Sequence, residues 1–264
     1  MQVNKIYCEN CLDTMLRMSD EFVDLTVTSP PYDNLRDYKG YSFDFESIAK
    51  ELFRVTKKGG VVVWVVNDKT ISGSESGMSF KQALLFKELG FNLHDTMIWY
   101  KSNPIPSKSN RYQSSFEYMF ILSKDKPNVM NYLYDKNNSL GIVKRNNINS
   151  EKQSVRGKKI DYIATNELKI RNNVWCYSVG LNQSSNDFIS FQHPAIFPEQ
   201  LAADHIFSWS NEGDLVYDPF IGSGTTAKMA HLLKRNWIGS EISQEYVDLA
   251  NKRIQPYLDQ LTCF

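Results

Sequence analysis

Ser29-Pro30-Pro31-Tyr32 follows the apolar segment Val23-Asp24-Leu25-Thr26-Val27, and its residue types suit the grip of an amino group beside an aromatic face. Pro31 pushes Pro30 toward extended backbone, and Pro30 has no amide hydrogen, so the turn offers carbonyl oxygens at the carboxyl end of a strand. The Ser29 hydroxyl and the Pro30 carbonyl can take the two hydrogens of an exocyclic amine and aim its lone pair at an electrophile, while Tyr32 stacks on the ring. Such a ligand is a base turned out of a nucleic-acid stack. The same four residues also suit a plain strand end with Tyr32 filling a gap, so a second feature has to decide.

That feature lies near the carboxyl end. Leu215-Val216-Tyr217 reads as a short buried strand, Asp218-Pro219-Phe220-Ile221 leaves it, and Gly222-Ser223-Gly224-Thr225-Thr226-Ala227 opens a helix. Glycines there permit a tight turn and close approach of a ligand to backbone, with the helix amino end pointing at it. Nineteen residues after Gly222, behind the strand-like Trp237-Ile238-Gly239, comes Glu241, an acid able to accept both hydroxyls of a ribose. Gly222-x-Gly224-x-x-Ala227 with Glu241 also meets the relaxed dinucleotide fingerprint, which keeps a nicotinamide or flavin enzyme as a competitor. Against it stand the acid and aromatic ring placed before the glycines and the single strand visible beyond them.

Taken together, Thr28-Ser29-Pro30-Pro31-Tyr32, Asp218-Pro219-Phe220-Ile221-Gly222-Ser223-Gly224-Thr225-Thr226 and Gly239-Ser240-Glu241-Ile242 resemble the exocyclic-amino DNA methyltransferases of the beta arrangement, the restriction-modification type in which the catalytic motif precedes the cofactor motif. The blocks at 51–66, Trp99-Tyr100-Lys101, Phe116-Glu117-Tyr118, His193-Pro194-Ala195 and Phe197-Pro198-Glu199 are similar to the same family, and the likeness spans 3–123 and 191–257.

The resemblance implies S-adenosyl-L-methionine as cofactor, no metal, and a methylated amino nitrogen on cytosine or adenine of duplex DNA. Ser29, Pro30, Pro31 and Tyr32 are then catalytic. Asp13, Asp68, His193, Pro194, Phe197, Pro198, Asp218, Phe220, Gly222, Ser223, Gly224, Thr225, Thr226, Glu241 and Ile242 would surround the cofactor. Asp33 would complete the base pocket. Ser in the first motif position is commonest in cytosine-N4 enzymes and Asp or Asn in adenine-N6 enzymes, so the expectation leans to cytosine N4, with adenine N6 open because both bases offer the same donor group. Carbon-5 methylation would need a cysteine beside proline, a setting that Cys8, Cys11, Cys176 and Cys263 lack. A catalytically silent DNA-binding relative is the remaining alternative. A second copy of the chain and a cognate restriction endonuclease are the further partners implied.

The elements that must position these residues alternate between strands and helices. Lys5-Ile6-Tyr7 reads as a strand, 13–17 and 47–55 as helices, and Val61 to Val66, after a Gly59-Gly60 turn, as a continuous apolar run of the kind buried on both faces of a parallel sheet. A helix over 79–89, strands over 93–99 and 116–122, a helix over 198–207 and a closing helix over 244–258 complete the pattern, which predicts an α/β, doubly wound, mostly parallel sheet. Asp68 leaves the end of the central run, where ligand crevices form. Cys8-x-x-Cys11 lacks a matching second pair for zinc.

With 264 residues, 42% hydrophobic and 23% charged, the chain can bury one substantial core with a modest insertion. Its net charge is zero, so a nucleic-acid partner must be met by local basic patches. No leader-like amino end and no apolar run of about 18 residues is visible, and the scattered cysteines suit a reducing compartment; the expectation is a bacterial or phage-encoded cytoplasmic protein with no membrane contact. The predicted division is 1–126 as catalytic half, 127–190 as target-recognition insertion and 191–264 as cofactor half. Between Lys136 and Lys159 seven basic residues stand against one acidic, so Lys144, Arg145, Lys152, Arg156, Lys158 and Lys159 are candidates for phosphate or base contact, though the stretch also suits a solvated loop. Lys101, Lys108 and Arg111, around the stiff Pro104 and Pro106, form a second candidate DNA surface.

Overall fold

The computed structural model describes residues 1–31, 43–104, 110–136, 143–145, 161–163, 167–180, 183–185, 187, 189–190 and 197–260. The first half runs β1 (Lys5–Cys8), α1 (Cys11–Leu16), β2 (Val23–Thr28), α2 (Phe45–Val55), β3 (Thr56–Val66), β4 (Thr70–Ile71), β5 (Ser74–Glu75), α3 (Met78–Glu88), β6 (Asn92–Lys101) and β7 (Phe116–Ser123). Next come β8 (Tyr134–Lys136), β9 (Val143–Arg145), β10 (Asp161–Ile163), β11 (Leu168–Ile170) and β12 (Val174–Tyr177). The chain closes with α4 (Glu199–Trp209), β13 (Leu215–Asp218), α5 (Thr225–Leu232), β14 (Asn236–Glu241) and α6 (Gln244–Gln260).

Eight strands form one sheet in the order β1-β14-β13-β2-β3-β7-β6-β12. All neighbours are parallel except those of β7, which pairs antiparallel with both β3 and β6. This is the mostly parallel α/β sheet expected from the alternating pattern. Strands β2 and β3 wind in one direction while β13 and β14 wind in the other, so β2 and β13, though neighbours, mark the place where strand order reverses. Open α/β sheets bind ligands at the carboxyl ends of such a pair, and both motifs leave the sheet there.

Val61 to Val66 are all buried, as expected of a central strand. Gly59 and Gly60 do not turn the chain into this strand; β3 begins at Thr56 and carries them inside it. The pairing jumps from Val23↔Thr56 to Leu25↔Val61, and Gly59 has φ +78°, so the glycines absorb an irregularity in the ladder. A Cβ on Gly60 would lie 2.9 Å from the Asp24 carbonyl oxygen, which explains why no side chain is tolerated. On one face of the sheet Phe45, Phe86 and Phe91 pack edge-on in series around Trp64, whose indole N–H donates to Gln82 Oε1 at 2.9 Å.

Residues Tyr132–Asn172 form a second compact unit, narrower than the expected 127–190. Within it β8 pairs antiparallel with β11 and, nested between them in the chain, β9 with β10. Val174–Tyr177 belongs to the main sheet instead, parallel to β6. Its anchor is Trp175, buried and packed on the His205 ring with centroids 4.5 Å apart; a four-residue strand inside an Asn- and Ser-rich stretch carries too short a pattern to be read from sequence.

Candidate functional site

Asp218 ends β13 and is buried at 1% exposure, a position in which a carboxylate needs partners. It has three. Thr28, the last residue of β2, donates its hydroxyl to Oδ1 at 2.7 Å, the Phe220 amide donates to the same oxygen at 3.0 Å, and Thr226 in the first turn of α5 donates to Oδ2 at 2.7 Å. One side chain therefore ties the strand that delivers Ser29 to the loop and helix that follow β13. Burial pushes its pKa up to about 6, against the opposing pull of the bonds from Thr28, Thr226 and Phe220.

The loop from Phe220 to Gly224 is shaped by backbone freedom at two points. Gly222 and Gly224 have φ +49° and +82°, and a Cβ on Gly224 would come within 3.0 Å of Ala250 and Ile254 on α6, so only glycine suits both the turn and the packing. Ile221 is accommodated by Gly239: a Cβ there would lie 2.7 Å from Ile221 Cδ1. The ring of Phe220, half-buried, meets Phe43 and Trp64 edge-on at 5.7 and 6.4 Å.

Glu241 closes β14, in register with Cys8 of β1. Its Oε2 accepts the Gly222 amide at 3.2 Å and its Oε1 the Ser243 amide at 2.9 Å. A carboxylate has about four acceptor positions, so capacity for a vicinal diol remains. Burial raises its pKa, opposed by the backbone donors and assisted by the charge of Asp218. The Gly224 amide is likewise used, by the Ile221 carbonyl at 2.8 Å. A dinucleotide loop must leave such amides free for pyrophosphate; here two of them are committed, which disfavours the nicotinamide and flavin alternative. A half-buried aromatic ring, a carboxylate with spare acceptor positions and glycine backbone fit the adenosine end of a phosphate-free nucleoside cofactor.

Ser29, Pro30 and Pro31 leave β2 beside this loop, with Pro30 buried and its neighbours partly exposed. Val27 and Thr28 pair with Val63 and Trp64, so the turn begins at the carboxyl edge of the sheet. Tyr32 and Asp33 lie outside the described residues, as do His193, Pro194, Lys108, Lys152, Arg156, Lys158 and Lys159. Lys144 and Arg145 are placed in β9, opposite Tyr162 and Asp161.

The remaining candidates have definite surroundings. Asp13 is exposed in the first turn of α1, three residues beyond the Asn10 cap. Ile242, 42% exposed, follows Glu241 at the lip of the site. Phe197 is part-exposed and Pro198 buried at the start of α4. Asp68 has both oxygens engaged: Oδ1 accepts from the Ser76 hydroxyl at 2.9 Å and the Ser79 amide at 3.0 Å, and Oδ2 accepts from the Ser79 hydroxyl. Although burial opposes it, those bonds hold its carboxyl below the usual range, and in this arrangement Asp68 secures the β4–β5 hairpin and the start of α3. Lys101 is paired with Glu117 at 2.6 Å and lies over the Trp99 ring. Arg111 donates to the Gly73 carbonyl and faces Glu75 at 3.6 Å. Among the described residues no group of three His, Cys, Asp or Glu is disposed to hold a metal ion, and no helix is long and apolar enough to cross a membrane.

Sequence reasoning missed two features that adjoin these residues. Thr28 is a sequence neighbour of Ser29, and its partner Asp218 is 190 residues away. Arg253 of α6 and Lys228 of α5 are charged, and their side chains are 0% and 4% exposed. The available signal was positional: Arg253 falls on the stripe Val247, Ala250, Ile254 and Tyr257 of α6, where an arginine has no access to water.

A family model described as DNA methylase matches residues 23–252 of the chain. The orphan methyltransferase M.BamHII of Bacillus amyloliquefaciens is 57% identical over 244 residues, covering 91% of this chain and 92% of the relative. Among solved structures, the PvuII DNA methyltransferase (cytosine-N4-specific) matches with TM-score 0.70 at 21% identity, over 97% of this chain and 91% of that one. The M1.HpyAVI–SAM complex matches with TM-score 0.59 at 23% identity, over 94% and 98%. These two likenesses concern the fold.

Proposed function

The chain belongs to the DNA methylase family, and from that premise we propose that it methylates the N4 amino group of a cytosine flipped out of duplex DNA. It is an S-adenosylmethionine-dependent DNA methyltransferase whose acceptor is an exocyclic amino group; the choice of cytosine is the finer step, and Ser29 in the first motif position supports it. The observation that carries the reading is the Thr28–Asp218–Thr226 bridge, because it holds the amine-gripping turn beside the loop that suits the cofactor.

Bound in that loop, S-adenosylmethionine supplies an electrophilic methyl group. The residues of this chain do the rest. A ring-conjugated amine is a poor nucleophile because its lone pair is drawn into the ring. Hydrogen bonds from its two N–H groups to the Ser29 hydroxyl and Pro30 carbonyl favour a more localised pair directed at the methyl carbon, and Tyr32 holds the ring plane by stacking. The gain comes from positioning and from acceptors matched to developing positive charge. The methylated amine is strongly acidic as it forms, so proton loss can follow attack and no dedicated base is needed. Glu241 would accept the ribose hydroxyls, and Phe220 would hold the nucleoside with its ring. The basic residues of 136–159 neutralise phosphates, with backbone contacts the main share. A second copy of the chain and a restriction endonuclease are included as partners; a monomeric sedimentation mass, free and on DNA, would remove the first.

Ser29→Ala and Tyr32→Ala test the arrangement. Both should lower kcat on duplex DNA by about tenfold or more while cofactor affinity stays within about twofold. Loss of cofactor affinity with kcat intact would contradict the roles assigned.

A further inference from the structure

Behind the cofactor loop lies a buried set of charges that the methyl-transfer chemistry does not use. Arg253, on α6, is fully buried. Its Nη1 lies 2.9 Å from the Ser223 carbonyl oxygen, 3.1 Å from Ser223 Oγ and 3.0 Å from Thr225 Oγ1. Its Nη2 donates to Glu199 Oε1 and, at 3.2 Å, to Ser185 Oγ, while Nε donates to Asp187 Oδ2 at 3.0 Å. Lys228 of α5 joins the same two carboxylates at 2.7 and 2.8 Å. Tyr257 donates to the other oxygen of Asp187 at 2.9 Å, and the Ser185 hydroxyl donates to Glu199 at 2.7 Å. Two cations face two carboxylates, and hydroxyl groups fill the remaining valences.

Burying such a set costs desolvation energy, and apolar residues of similar volume often stabilise a fold as well or better. What an apolar cluster cannot do is fix polar backbone at a set distance. The guanidinium is a rigid planar fork: one side holds the Gly222–Thr225 loop through Ser223 and Thr225, and the other holds Glu199, the first residue of α4 directly after Phe197 and Pro198. Ser223 and Thr225 are 3% and 4% exposed, and their side-chain oxygens are turned to Arg253.

We infer that Arg253 is a positioning residue for cofactor binding, setting the spacing between the glycine loop and the start of α4 through Ser223, Thr225 and Glu199. This rests on the reading of that loop as the S-adenosylmethionine site. The role predicts an effect on cofactor affinity separable from stability. In the full-length protein, Arg253→Met should weaken S-adenosylmethionine binding in calorimetry by about tenfold, raise KM for it in parallel, and leave kcat at saturating cofactor within about threefold. Arg253→Lys keeps the charge but loses the fork, and should fall between. Thr225→Val should cost about threefold, and the double variant should bind no more weakly than Arg253→Met alone, because both act through one contact. Wild-type affinity in folded Arg253→Met, or losses that multiply in the double variant, would overturn the inference. Should Arg253→Met not fold, Glu199→Gln provides the same test from the far side: it should weaken cofactor binding severalfold, and unchanged affinity would overturn the inference. Failure of the wild type to bind S-adenosylmethionine would overturn the reading of the loop and this inference with it.

Discussion

At the meeting of β2 and β13, Asp218, Thr28 and Thr226 are buried and satisfy one another, whereas in the unit of residues 132–172 Tyr134, Leu168 and Ile170 stand about half exposed on a two-stranded ladder. A ladder of two strands has no second layer to bury its side chains and is marginal by itself in water. The first region holds a geometry fixed by its own buried hydrogen bonds; the second is notable for composition, with seven basic residues against one acidic from Lys136 to Lys159. We propose a division of labour in which the junction governs chemistry and cofactor and the unit of residues 132–172, the arm, governs affinity for the nucleic acid.

The strongest way to break that division is at the junction itself. Asp218→Ala removes the acceptor of three donors and leaves a buried void, so urea unfolding should show a loss of about 3 kcal/mol, with methylation and cofactor binding falling together. If stability and cofactor affinity survive, the bridge does not hold the two motifs in place. On the other side, replacing Lys144, Arg145, Lys152, Arg156, Lys158 and Lys159 by glutamine should lower DNA affinity by about a hundredfold at physiological salt and flatten its salt dependence. Cofactor affinity and melting temperature should not move, and a change in either would mean that the arm is part of the catalytic body.

Glu241→Ala sharpens the cofactor half of the comparison. Loss of diol hydrogen bonds should cost about 1 to 3 kcal/mol of S-adenosylmethionine affinity, with DNA affinity unaltered; equal binding would move the ribose site elsewhere. The smallest effect is a dependence on pH. The folded pKa of Asp218 is raised to about 6 from 3.8, so between those values the native state keeps a proton that the unfolded chain releases. Its contribution to stability is therefore greatest at low pH and is lost as pH rises through about 6. Comparing urea midpoints at pH 4.5 and 7, the wild type should carry an extra slope of order 1 to 2 kcal/mol that Asp218→Asn lacks. Parallel behaviour of the two proteins would place the titration on other groups.

How much of this could be read in the residues follows the same contrast. The six-residue apolar run at Val61, the glycine loop and the acid at Glu241 announce themselves because burial on both faces and positive φ restrict residue choice locally. The Gly59-Gly60 pair was legible as backbone freedom but not as a ladder irregularity, since that depends on how β2 registers against β3. Val174–Tyr177 was hidden because a single buried Trp175 inside polar sequence resembles a loop. Thr28 and Arg253 were hidden for a different reason: each is defined by partners far away in the chain, and an ion buried in a network has the same letter as one on a surface. The arm remains the least legible part, for its charges state an affinity without stating a geometry.

The most direct test of the central claim is to incubate the purified chain with tritiated S-adenosylmethionine and mixed-sequence duplex DNA, digest to nucleosides and identify the labelled base. The account predicts label in N4-methylcytosine. Label in N6-methyladenine would contradict the choice of base while retaining the fold and the amine-gripping turn, and label confined to carbon 5 of cytosine would contradict the mechanism itself.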